Sequence, residues 1–146
     1  MKIRKIQQND LLACSKLLES AYGSSPYNEI FKEHTAEAYI NNKYNNCKDN
    51  SFIVIDEKDN IIAFAFFNLS SWAEGPQAIL EEVVVDPNHQ NRGIGKELLD
   101  YAHQYLKSIG VKYIMLWTKN NKRLLKFYKN RGYSTTSDFV VMFKNF

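Results

Sequence analysis

The sequence predicts a single mixed α/β domain, on three observations. β-rich runs alternate with amphipathic helical stretches from one end of the chain to the other. One strand passes through a glycine-bearing turn directly into a long helix, at "VVVDPNHQNRGIG", residues 83–95. The 146 residues carry no linker, repeat or low-complexity segment, so one core-bearing domain over residues 1–146 is expected.

Each element has its own signal. "KIRKI" alternates and reads as a first strand. Leu11, Leu12, Leu17, Leu18 and Tyr22 mark a helix over roughly 9–22, with Asn9 or Asp10 as N-cap and Gly23 to Pro26 as breaker. Thr35 is the expected cap of a second helix, "AEAYINNKYNN". "SFIVI" and "IIAFAFFNLS" are strands joined by "DEKDN", a hairpin signal; "SSWAEGPQ" reads as a loop and "AILEEVVV" as the fourth strand. After Gly93, the residues Ile94, Leu98, Tyr101, Ala102, Tyr105 and Ile109 form one helical stripe that Gly110 ends. "VKYIMLWT" is a strand, "NKRLLKFYKNR" a helix closed by Gly132, and "FVVMF" a last strand, with a short extra strand at 133–135. The order is β-α-α-β-β-β-α-β-α-β, a mixed sheet of about six to seven strands flanked by four helices.

Composition narrows the function. No apolar stretch approaches the ~20 residues of a membrane span, and "MKIRKIQQND" lacks a signal peptide's apolar segment. Two cysteines, Cys14 and Cys47, do not make a disulfide scaffold, so a cytoplasmic setting is expected. A net charge of +3 suits a phosphate-bearing ligand but falls short of a nucleic-acid footprint. His34, His89 and His103 show no ligand spacing, so no metal site is expected.

The glycine turn carries the first chemistry. The leading N–H groups of a helix lack intrahelical partners and, with the helix dipole, attract an anion. Glycine lets a phosphate reach that backbone. Leu98 stands where a dinucleotide fingerprint needs its third glycine, and Gln90 where a P-loop needs its first. Neither of those phosphate loops is present.

"QNRGIG", Gln90 to Gly95, before an amphipathic helix, resembles the acyl-CoA pyrophosphate loop of the GNAT superfamily of N-acetyltransferases. "NKRLLKFYKNRGY", Asn121 to Tyr133, resembles that superfamily's Asn-x-x-Ala-x-x-x-Tyr-x-x-x-Gly-Phe segment, with Leu124 for Ala and Tyr133 for Phe. The element order also matches, so the resemblance covers essentially the whole chain and implies the GNAT fold. It implies acetyl-CoA as co-substrate. Its pyrophosphate would rest on the backbone of Gln90, Asn91, Arg92, Gly93, Ile94, Gly95 and Lys96, with Arg92 and Lys96 adding charge. Its pantetheine arm would follow Val83, Val84 and Val85 and meet Asn121, and Tyr128 would reach the sulfur. Without the resemblance, Tyr128 reads as a core aromatic on a stripe with Leu124, Leu125 and Phe127.

Acetyl transfer to an amine makes three demands. The amine must lose a proton, because an alkylammonium of pKa ~10.4 is only about 1 in 10³ neutral at pH 7. The tetrahedral oxyanion needs a donor, which a strand N–H can supply. The thiolate needs a proton, which a phenol such as Tyr128 can give. Glu81 and Glu82 are the acidic candidates, and the resemblance puts Glu81 first. Adjacent strand residues face opposite ways, so both serve one spot only if a bulge intervenes. Otherwise one faces solvent and the other makes a structural ion pair. In the resemblance an acidic pair here points to the polyamine and small-amine branches, and "PYNEIF" is similar to their acceptor segments. Tyr27, Glu29 and Trp72 are therefore candidate acceptor contacts, though capping by Asn28 or Glu29 and a core-covering Trp72 are the alternatives. The six Lys and Arg of 119–131 read as a solvated helix face, since no aromatic platform for nucleic acid is interleaved.

The expected function is acetyl transfer to a small cationic primary amine, without metal, nucleic-acid or membrane partner. The alternatives are a protein Lys or N-terminal acetyltransferase and a non-catalytic acyl-CoA sensor. A homodimer is expected from the apolar edge "FVVMF".

Overall fold

Apolar alternation does produce one central sheet, seen in a computed structural model that describes residues 1–146. The backbone forms two compact units, Met1–Leu116 and Trp117–Phe146. The first holds β1 (Lys2–Lys5), α1 (Leu11–Tyr22), α2 (Thr35–Cys47), β2 (Ser51–Ile55), β3 (Ile61–Trp72), β4 (Gly75–Val85), α3 (Ile94–Ser108) and β5 (Ile114–Met115). The second holds α4 (Lys122–Lys129).

The strands lie in the order β1-β2-β3-β4-β5. The first three pairings are antiparallel and β4 pairs with β5 in parallel. A parallel pair needs a crossover, and α3 provides it. One face of the sheet presents Ile53, Phe64, Phe66 and Val84 to a buried cluster with Leu11, Cys14, Leu18 and Ile40 of α1 and α2. On the other, the Phe52 ring meets Tyr101 and Tyr105 of α3 edge-on, at 5.6 and 5.3 Å between centroids.

Several elements differ from the sequence expectation. The sheet has five strands, not six or seven: residues 133–135 and 139–143 form no strand. Phe139, Val140, Met142 and Phe143 are 76–89% exposed. β-propensity measures fit to a paired, half-covered surface, and "FVVMF" has neither a partner strand nor cover. "VKYIMLWT" pairs only at Ile114 and Met115, opposite Ala78 and Ile79. "SSWAEGPQ" is not a loop but a tight hairpin, with Trp72 opposite Gly75. Thr35 does not cap α2; it is the first helical residue, and His34 occupies the cap position. In α3, Leu99 and Leu106 join Ile94, Leu98 and Ala102 in the core, whereas Tyr101 and Ile109 are exposed. The turn at Asp56 is as expected, its carboxylate accepting from the amides of Lys58 and Asn60.

Phe66 is fully buried at the centre of the sheet. Phe66→Ala is expected to cost about 3–5 kcal/mol through lost transfer energy and a residual cavity, measured by urea unfolding.

Candidate active site

The ladder between β3 and β4 slips by one residue. Phe67 stands opposite Leu80 but Phe66 stands opposite Glu82, so Glu81 is the extra residue of a β-bulge. A bulge breaks strict alternation, and both carboxylates come to the α1/α2 face. Their partners differ. Glu81 accepts from Lys43 Nζ at 2.6 Å and from Asn68 Nδ2 at 3.3 Å. Glu82 accepts the Tyr22 hydroxyl on both oxygens, at 2.9 and 3.1 Å, and the Tyr39 hydroxyl at 2.9 Å.

Burial pushes the Glu82 carboxyl above the ordinary carboxylate range. The Tyr22 and Tyr39 hydroxyls, the Lys43 charge and the Val83 amide oppose that shift. Burial, and then the Glu82 carboxylate, push both phenols well above their usual values, so they remain donors. An aromatic wall stands around the carboxylate: the Tyr22 ring lies 4.6 Å from Tyr27 and 6.0 Å from Phe31, centroid to centroid. Burial, then the Glu82 and Glu29 charges, push the Tyr27 hydroxyl up, so Tyr27 stands beside the site, while Glu29 is exposed. Trp72 is not brought there. It sits at the hairpin tip, six residues along β3 from Phe66, roughly 20 Å at the usual strand rise.

β4 also offers backbone. The Asp86 amide donates to Ile62 of β3, so alternation turns Val84 toward β3 and Val83 and Val85 toward the opposite edge. β5 covers that edge only as far as Ile79. The Val85 carbonyl accepts from the Gln90 side chain at 3.2 Å, which ties the strand end to the following turn. In that turn Asn91 and Gly93 have φ of 63° and 81°. Gly93 occupies the cap position of α3, and no side chain caps the helix. The amides of Ile94, Gly95 and Lys96 open the helix, and Arg92 is exposed beside them. Lys96 is drawn to Asp100, 2.6 Å away. These features suit a bound pyrophosphate.

In the second unit Asn121 caps α4, its Oδ1 accepting from the amides of Arg123 and Leu124. Tyr128 packs edge-on against Phe127 and Tyr133, at 5.2 and 5.6 Å between centroids. Neither cysteine is a nucleophile: burial pushes the Cys14 and Cys47 thiols up to about 12. No group of three His, Cys, Asp or Glu is placed to hold a metal ion. No helix is long and apolar enough to cross a membrane.

The sequence profile of the acetyltransferase (GNAT) family matches residues 13–133. The chain belongs to this family. GNAT relatives agree over different spans. An uncharacterized N-acetyltransferase of Methanocaldococcus jannaschii is 39% identical over 57 residues, 38% of this chain and 25% of that protein. The chain thus spans about a quarter of that relative's length. The uncharacterized N-acetyltransferase YhfO of Bacillus subtilis is 25% identical over 96% of this chain and 94% of its own. In fold, the crystal structure of glucosamine-6-phosphate N-acetyltransferase from Arabidopsis thaliana superposes with a TM-score of 0.70 at 19% identity, covering 99% of this chain and 97% of that one.

The GNAT sequence signals lie in the glycine turn, Gln90 to Gly95, and in the segment Asn121 to Tyr133. Tyr22, Tyr39, Lys43 and Asn68 were not among the expected site residues. The one available signal was Tyr39 and Lys43 at i and i+4 on α2, two polar-tipped side chains on one helix face.

Because the folded pKa of Glu82 is raised, its contribution is fully present while the carboxyl is protonated and is lost as pH rises through that pKa. Glu82→Gln, which cannot ionise, should therefore gain stability relative to the parent between about pH 4 and pH 8. Thermal unfolding of both proteins at the two pH values checks this.

Proposed function

We propose that the chain transfers an acetyl group from acetyl-CoA to a small cationic primary amine, with Glu82 as the group that takes the amine's proton. The observation that carries the reading is a carboxyl of raised proton affinity on the bulge, in an aromatic wall, on the strand whose end feeds an open helix N-terminus. Glu81, paired to Lys43, neutralises that lysine and leaves Glu82 as the base.

The step balances as follows. Glu82 accepts a proton from the ammonium, directly or through one water. The freed nitrogen lone pair bonds to the thioester carbonyl carbon, and a backbone amide of β4 is the proposed donor to the oxyanion. Collapse of the tetrahedral carbon breaks the C–S bond, and Tyr128 gives its proton to the thiolate; the nitrogen's second proton leaves as the amide forms and restores Tyr128 through solvent, and Glu82 releases its proton to water. The turn from Gln90 to Lys96 holds the pyrophosphate and Asn121 contacts the pantetheine arm, with Arg92 adding charge. Tyr27 and Glu29 contact the amine. The aromatic and acidic surroundings favour a small cation of the polyamine or amino-sugar type.

One domain acting in the cytoplasm fits two free, buried thiols. The exposed residues 139–143 support a homodimer, and sedimentation at about 10⁻⁵ M should show two copies in a species that dilution separates.

Gly93→Val places a side chain at a φ of 81° in the path of the anion, although it meets no neighbouring atom. That variant and Gly95→Val are expected to weaken acetyl-CoA binding about tenfold or more, as each blocks backbone approach at the helix N-terminus; Gly93 has open space around it, so its variant is expected to keep the fold. Calorimetry reads the affinity and circular dichroism the fold.

Tyr128→Phe should leave acetyl-CoA affinity nearly unchanged and lower turnover about 10²-fold, the scale of general-acid loss. Thiol release against a panel of polyamines, amino-sugars and Lys peptides measures it. Wild-type turnover would remove the acid, and inactivity of the parent protein on every amine, despite tight coenzyme binding, would point to an acyl-CoA sensor.

A further inference from the structure

We propose that Tyr22 and Tyr39 are positioning residues that hold the Glu82 carboxylate in one orientation and set the pH at which it accepts a proton from the amine. This rests on Glu82 as the base. The two phenols come from different elements: Tyr22 is the last residue of α1 and Tyr39 lies early in α2. Both hydroxyls end on the same carboxylate, at 2.9 and 3.1 Å from Tyr22 and 2.9 Å from Tyr39. Oε2 thus takes two phenols, whereas Oε1 takes only the shared Tyr22 among the side chains. Oε1 therefore carries one phenol fewer than Oε2.

A purely space-filling role would need the rings alone, and phenylalanine would serve. The hydroxyls set this pair apart, and their rings are themselves fixed. Tyr22 packs between Tyr27 and Phe31, and Lys43 Nζ lies 5.3 Å from the Tyr39 ring centroid. Two donors from two packed helices therefore meet at one carboxylate and orient it.

The same contacts tune its proton affinity. The charged or titratable groups around Glu82 are Tyr22 from α1, Tyr27 from the following loop, Tyr39 and Lys43 from α2, and Glu81 beside it on β4. Lys43 is committed to Glu81 at 2.6 Å, so the phenols are the nearest adjustable donors. A hydrogen bond to the charged form favours that form and burial disfavours it. Each phenol thus holds the proton affinity of Glu82 below what burial alone would give.

The test reads that affinity in the protein itself. The Glu82 carboxyl carbon, assigned by its loss in Glu82→Gln, is titrated by ¹³C NMR in the parent, Tyr22→Phe and Tyr39→Phe. The midpoint should rise by about one pH unit in each variant, a tenfold tighter proton. The acid limb of kcat/KM for spermidine or glucosamine, whichever reacts faster, should move with it. An unmoved midpoint in a folded Tyr→Phe variant, with Glu82→Gln inactive, would overturn the positioning role alone. Full turnover by Glu82→Gln would instead overturn Glu82 as the base. If Tyr22→Phe does not fold, Tyr39→Phe gives the same decision, since the two share one carboxylate.

Discussion

One extra residue in β4 governs the geometry of the site. Without the slip at Glu81, neighbouring residues of the strand would point to opposite faces. With it, two carboxylates share the face covered by α1 and α2 while Val83 to Val85 keep their register with β3. The regular ladder on either side confines the distortion to the point where charge is concentrated. From Leu80 on, β4 pairs with β3 alone, since its pairing with β5 ends at Ile79.

Two carboxylates on one partly buried face would repel one another if both were charged and unpaired. The helices resolve this in two ways. Lys43 gives Glu81 a full opposite charge at 2.6 Å. Glu82 receives neutral donors instead, two phenols that stabilise its charge without cancelling it. One acid therefore meets a cation and the other meets neutral donors. The division follows from what α1 and α2 present: hydroxyls at Tyr22 and Tyr39, an ammonium at Lys43.

How far this could be read from the sequence depends on the range of the interaction. The strand-to-helix turn was legible because its signals are local: Gly93 stands at a positive φ and the helix begins at Ile94. The acidic pair was visible as two charges in an apolar run. Which acid takes an ammonium and which takes phenols was not. That choice depends on Lys43 and Tyr39, some forty residues away in sequence and joined to the strand only by packing. The bulge itself has no composition signal, because Leu80 to Val83 read equally well with or without it. The same limit explains the C-terminal segment: "FVVMF" has the residues of a strand, but a strand is made by a neighbour. The hairpin at Trp72 was missed because "SSWAEGPQ" carries turn residues on both sides of a two-residue tip.

The most direct measurement is a crystal structure with a bisubstrate analogue in which coenzyme A is joined to the amine through an acetyl bridge. The nitrogen standing for the acceptor amine is expected within about 3 Å of a Glu82 oxygen, or one water removed from it, with Tyr22 and Tyr39 still bonded to that carboxylate. A nitrogen directed to Glu81, with the Lys43 pair broken, or one remote from both carboxylates, would contradict the assignment of Glu82 as the base.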